Sequence, residues 1–175
     1  ADQDEYTLAG YLDHFEVNEA AVKALSMSED VFGLAEDQRR LLEQVSPRLR
    51  LGHVQWHFAP ARVRESFTVL ADFGNLELSL AGAVPGLSGL KGLLQFGFGA
   101  GYLDFDAMNA QIQFGSLYDF PWSLDAIRGR IAYRSAEDGF ALTSGKLVAR
   151  VDGLVAEGKL HMNLAQDRRL RTWGL

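Results

Sequence analysis

The sequence predicts a mainly β fold: a curved, twisted antiparallel meander sheet built of repeated hairpin units, with two short N-terminal helices capping an end or an edge. Three observations predict it. From Leu49 onwards the apolar residues recur with period two, the spacing that places alternate side chains on opposite faces of a strand. Glycine outnumbers proline 18 to 4, and many of the glycines punctuate the apolar runs. A stretch near the middle of the chain is echoed later, as a stacked β repeat requires.

The elements follow in order. Tyr6 to Leu12 reads as a short strand. Asn18 suits the cap of a helix over Glu19 to Leu25, because its side-chain oxygen can accept a free N–H of the first turn. Glu19 then sits at the positive end of the helix dipole. A second helix over residues 35–45 gathers Leu41, Leu42 and Val45 on one face, and Pro47 ends it. This acidic helical pair is expected to cover one end or edge of the sheet.

The period then changes. Leu49 and Leu51, followed by Val54, Trp56 and Phe58, suggest a strand with a slip at Gly52, as a bulge would give. Phe67, Val69, Ala71 and Phe73 alternate cleanly, and Leu76, Leu78 and Leu80 resume after a Gly74-Asn75 turn. The stretch Val84-Pro85-Gly86-Leu87-Ser88-Gly89-Leu90-Lys91-Gly92 reads as a strand-turn-strand joint at the sheet rim. Pro85 fixes its φ, and the glycines permit the φ values of turns. After it come short alternating runs separated by Gly, Asn and Asp-Gly signals, the mark of an antiparallel meander.

The repeat aligns Leu90-Lys91-Gly92 with Ile127-Arg128-Gly129 at an offset of 127 − 90 = 37 residues, and Phe96 with Tyr133. Each unit reads apolar-basic-glycine, then an apolar residue and an aromatic. Units of this kind stack along one axis and touch only their neighbours.

Charge is unevenly placed. Residues 1–46 hold 11 acids and 3 bases (−8), and residues 47–175 hold 12 acids and 14 bases (+2), giving the net −6. Residues 1–46 read as an acidic strand-plus-helices segment and 47–175 as the repetitive sheet section, together one structural domain. An acidic chain with no basic stripe argues against a nucleic-acid partner. There is no cysteine, hence no disulfide and no thiolate zinc ligand. No apolar window is long enough to span a membrane as a helix. The start at Ala1 and the abrupt stop at Leu175, just past Arg168 to Trp173, read as the ends of a piece of a larger protein.

Motifs for catalysis are sparse. His53 and His57 lie four apart on a strand pattern, roughly 13 Å by the strand rise, too far to share a metal. Asp104 and Asp106 share a strand face about 7 Å apart, a spacing open to glycosidic chemistry, but their alternation with Leu103 and Phe105 reads as a solvated face. Gly97 to Gly101 lacks the spacing of a dinucleotide loop, and Gly86-Leu87-Ser88-Gly89 is not a nucleophile elbow. No catalytic residue, cofactor or metal site is assigned, and the chain is not read as an enzyme.

Apolar surface is what the sequence offers in quantity. The candidate face carries Leu94, Phe96 and Phe98, then Leu103 and Phe105, then Ile112 and Phe114. Ile131 and Tyr133, Phe140 and Leu142, and Leu160 and Met162 continue it. Either this face packs on a second sheet or on the helices, or it forms an open trough for hydrophobic ligands. The pattern leaves both open.

Phe73-Gly74-Asn75-Leu76, followed by Val84-Pro85-Gly86-Leu87-Ser88-Gly89-Leu90-Lys91-Gly92, resembles a stretch of YhdP-like proteins of the AsmA-like superfamily. The likeness continues upstream through Leu41 to Val54 and downstream through Phe120-Pro121-Trp122 to Tyr133, where that family more often has Trp. Asp138-Gly139-Phe140 and Val151-Asp152-Gly153 follow in order, so it spans about residues 40–165. The glycine of the first turn departs from the family pattern, lying at Gly52 and not directly after Pro47.

The resemblance implies a taco-like section of a periplasmic β-groove that shields phospholipid acyl chains between inner and outer membranes of a diderm bacterium. The parent protein would be held in the inner membrane by a helix outside this segment. The partners it implies are phospholipid or another acyl-chain lipid and the rest of the parent polypeptide at both sheet edges. An isolated segment could also oligomerise through those edges. The alternative is a non-catalytic β-scaffold that binds proteins in outer-membrane assembly.

Overall fold

A computed structural model describes residues 6–27, 36–81, 84–115, 120–136, 139–165 and 170–174. Its strands are β1 (Leu8–Val17), β2 (Arg48–Phe58), β3 (Thr68–Leu78), β4 (Gly86–Gly97), β5 (Ala100–Gln113) and β6 (Trp122–Ala136). Then follow β7 (Gly139–Ser144), β8 (Leu147–Val151), β9 (Leu154–Gly158), β10 (His161–Ala165) and β11 (Leu170–Gly174). Helices α1 (Glu19–Met27) and α2 (Glu36–Val45) join β1 to β2. A 3-10 turn (Pro60–Arg62) and the single-turn α3 (Val63–Ser66) join β2 to β3.

All strands belong to one antiparallel sheet in the order β1-β2-β3-β4-β5-β6-β7-β10-β11, with β8 between β6 and β9. The branch at β6 is a break within long strands. β6 pairs with β7 through Ile131–Ala136 and with β8 through Ala126–Arg128. β7 and β8 are thus successive arms of one strand interrupted at Gly145-Lys146. β9 and β10 form the next strand, interrupted at Lys159-Leu160. Backbone bonds bridge the breaks: Gly145 N–H donates to the Arg130 carbonyl at 3.3 Å, and Ser144 N–H to the Leu160 carbonyl at 2.8 Å. The sheet is a plain meander in which two successive strands are each interrupted once. Its first strand, β1, lies in the acidic segment, so the sheet spans the 46/47 boundary.

The expected bulge at Gly52 is present. His53 takes φ 46°, and the β2–β3 register shifts between Gly52 and Gln55. Two other expectations need correction. Gly74-Asn75 is not a turn between strands: β3 runs through it, with Asn75 at φ 52° and a register shift beside it. Nor is Gly86 to Gly92 a turn. It is the first half of β4, and the connection from β3 is Ser79 to Pro85, with Ala81 and Val84 bridged. The glycines serve bulges and close strand approach instead.

These interruptions gather near one row of cross-strand partners: Leu51 faces Phe73, Phe73 faces Gly92, Gly92 faces Phe105, and Phe105 faces Gly129. A bulge changes the parity of a strand and bends it. The apolar set therefore switches from Leu49 and Leu51 to Val54 and Trp56 in β2, and from Phe73 to Leu76 in β3, while staying on one face. The row is a crease running across the strands. Gly92 and Gly129, aligned by the repeat, both have φ 159°. A Cβ on Gly92 would lie 1.8 Å from the Asp104 carbonyl oxygen, so no side chain fits. The space is used by Phe73 and Phe105, which flank this glycine and are 3% and 6% exposed.

The core lies along the crease: Leu51, Val54, Ala71, Phe73, Leu76, Leu90, Phe105, Ala107 and Ala110 form one buried cluster. The helices form as expected. The Asn18 side-chain oxygen accepts Ala21 N–H at 3.1 Å, and Val22 is buried. They stand at one end of the first strands, tied there by Ser79 N–H donating to the Val45 carbonyl at 2.7 Å.

Candidate functional site

The sheet is one layer. The accessible surface is 11950 Å², against roughly 8,500 Å² for a compact monomer of this length by the usual size scaling. Among the described residues no second sheet packs on the apolar face.

An aromatic line crosses that face beside the crease. Trp56 stacks on Phe58 at 5.7 Å between centroids, and Phe58 meets Phe67 at 6.4 Å. Phe67 touches Phe96 at 6.3 Å and Phe98 at 5.4 Å, and Phe96 meets Tyr133 at 6.1 Å. The line begins over Gly10 of β1, where an added Cβ would lie 2.1 Å from the Trp56 ring. It continues from Tyr133 to Leu142 and then Met162, successive cross-strand partners. The line thus runs across the strands from β1 to β10. All the aromatics in it are half-buried.

Tyr133 fixes one point of this line. Its ring lies over Gly101, 2.6 Å from where a Cβ would be. Its hydroxyl donates to the Gly97 carbonyl and accepts Gly97 N–H at 3.2 Å. Burial pushes the phenol above its ordinary pKa, partly opposed by the Gly97 bond.

The structure sorts the sequence candidates by burial. Leu94, Leu103 and Ile131 form one cross-strand row, half-buried and packed against the core cluster. Phe96, Phe98, Tyr133, Leu142 and Met162 belong to the aromatic line or its continuation. Phe105 does not line an open surface: it is core, because the glycines on both sides let its ring settle into the crease. Ile112 pairs with Leu87 and Trp122, and Phe114 meets Trp122 edge-on at 5.9 Å, towards the other end of the strands. Leu160 stands beside Ser144, whose Oγ accepts Leu160 N–H at 2.6 Å. The Phe140 side chain lies outside the described residues. Trp56, Phe58 and Phe67 belong to the line but were not among the candidates. Their alternation with Gln55, His57 and Thr68 was a sufficient signal.

The opposite face is polar. Arg130 Nε donates to Asp104 Oδ1 at 2.9 Å, a second donor of the guanidinium reaches Oδ2, and the guanidinium lies 4.4 Å from the Tyr102 ring centroid. The Arg130 hydrogen bond holds the Asp104 carboxyl below the usual range, against a smaller upward push from burial. Asp106 stands opposite Arg128 in the register. His53 Nδ1 lies 2.9 Å from Asp72 Oδ2, and Arg50 Nε 3.3 Å from Glu16. A shallow depression of about 660 Å³ on this face is lined by Gln55, His57, Thr68 and Leu70, among others. Among the described residues no three His, Asp or Glu side chains converge on a metal position, and no helix is long and apolar enough to cross a membrane. The chain matches no family model, and no curated protein or solved structure is significantly similar to it.

Proposed function

We propose that this chain is a section of a β-groove conduit that shields phospholipid acyl chains in the periplasm, within a protein anchored in the inner membrane by a helix outside this segment. The observation that carries the reading is the aromatic line from Trp56 to Tyr133, half-exposed on a single-layer sheet and running across the strands. A lipid tail in water costs roughly 0.8 kcal/mol per CH₂. A shallow apolar track offsets that cost at every step along its length and needs no covalent chemistry. Side chains that stay half-exposed bind weakly and repeatedly, as movement requires. The resemblance to YhdP-like proteins points the same way.

Native mass spectrometry after incubation with phosphatidylethanolamine vesicles tests the reading. The chain is expected to carry phospholipid, and Phe96→Asp to lose it while keeping a β-type circular dichroism spectrum. A chain that stays lipid-free, or a Phe96→Asp variant that loads equally well, contradicts the reading.

A further inference from the structure

The polar face is zoned. Behind the crease its charges pair within the chain, Asp72 with His53 and Asp104 with Arg130. Behind the aromatic line the face is neutral. There a row of cross-strand partners runs through Tyr11, Gln55, Leu70, Gln95, Tyr102 and Ala132 to Thr143, with no charge in it. The row beside it, through His57 and Thr68, brings one formal charge, at Arg134.

Two depressions lie on this strip and meet at Gln95. One, of about 660 Å³, reaches from Tyr11 on β1 to Gln95 on β4. The other, of about 390 Å³, continues over β5 to β7 past Tyr102 and Thr143. The strands beneath most of the strip, β2 to β6, have neighbours on both sides, so it does not depend on where the sheet stops.

The chain leaves the polar groups of the strip available. Among the described residues, the side chains of Gln55, His57, Thr68, Gln95 and Thr143 make no hydrogen bond within the chain, although Gln95 is half-buried. The two tyrosines are held: Tyr11 O–H donates to Asp13, and the Arg130 guanidinium lies against the Tyr102 ring. They stand on β1 and β5, roughly 19 Å apart at the usual inter-strand spacing.

These groups select the ligand. Amides and hydroxyls both donate and accept, as sugar hydroxyls do. The negative faces of tyrosine rings suit the C–H faces of a sugar. One arginine is too little for a nucleic acid or another polyanion. One exposed leucine, Leu70, is too little for an amphipathic helix. An extended peptide adds at a strand edge, and these strands already pair on both sides.

We propose that the strip binds an uncharged oligosaccharide laid across the strands, on the face opposite the aromatic line. This goes beyond the lipid reading and does not depend on it.

NMR titration of the isotope-labelled chain with cellohexaose, maltohexaose and chitohexaose tests the proposal. At least one of the three is expected to shift the Gln55 and Gln95 side-chain amide resonances at millimolar concentration or below. Gln95→Ala is expected to weaken that binding by up to about tenfold through the lost hydrogen bonds. Tyr102→Ala is expected to weaken it as well, and both variants to keep the parent circular dichroism spectrum. No shift with any of the three sugars, equal or tighter binding of a sulfated heparin hexasaccharide, or binding that ignores both substitutions overturns the proposal.

Discussion

The row Leu51, Phe73, Gly92, Phe105, Gly129 and the line Phe58, Phe67, Phe96, Tyr133 share the apolar face of one sheet, yet only the phenylalanines and leucine of the first are buried. The difference comes from the glycines and the bulges. Where Gly92 and Gly129 open space, the neighbouring phenyl rings sink and the strands bend around them. Further along the same strands large side chains stand shoulder to shoulder and none sinks. A single sheet thus holds both a scaffold and an open surface, and burial separates them where hydrophobic pattern does not.

Substitutions can break that comparison. Phe105→Ala is expected to cost about 3–5 kcal/mol in denaturant unfolding, because it empties the crease. Phe96→Ala, with a half-exposed ring, is expected to cost less than about 2 kcal/mol. Equal losses would mean that the line is core too. Gly92→Ala is expected to cost about 2–3 kcal/mol, since its methyl must displace the Asp104 carbonyl and not a flexible side chain. Gly129→Ala meets chiefly the Leu147 side-chain tip at 2.5 Å and is expected to cost less. A neutral Gly92→Ala would show that the crease is not held by close strand approach.

Tyr133→Phe sharpens the comparison from the other side. Losing its bonds to Gly97 is expected to cost about 1 kcal/mol. Because folding raises the phenol pKa, the unfolded chain releases this proton first. The stability linked to Tyr133 is therefore complete below the ordinary tyrosine range of about 10 and is lost as pH rises through the folded value. Tyr133→Phe should show a shallower alkaline decline in melting temperature than the parent chain. The smallest effect belongs to the polar face. Folding lowers the Asp104 pKa, so its contribution is present above the unfolded pKa and is lost as pH falls through the folded one. Asp104→Asn should flatten the acid limb of the stability profile slightly, as expected for an exposed ion pair.

Much of the fold was legible because period two runs in clear blocks on either side of each parity switch and because Asn18 and Pro47 mark the helix ends. The bulge at His53 was legible from the parity change between Leu51 and Val54. What misled was glycine. In residues 84–92 it was read as turn chemistry, whereas Gly89, at φ 80°, sits where β4 slips against β5, and Gly92 admits the Asp104 carbonyl. That need depends on the neighbouring strand and not on local sequence. For the same reason Phe105 could not be told from Phe96 beforehand: both alternate with polar residues, and only the partners Gly92 and Gly129 decide which ring is buried.

The central claim is that the aromatic line, and not the crease or the polar face, meets lipid. A Phe96→Cys variant carrying an environment-sensitive fluorophore tests it directly, with Thr143→Cys on the polar face as the paired label. Titration with phosphatidylethanolamine vesicles should shift the Phe96→Cys emission to the blue and leave the Thr143→Cys emission unchanged. No shift at position 96, or equal shifts at both positions, would contradict the account.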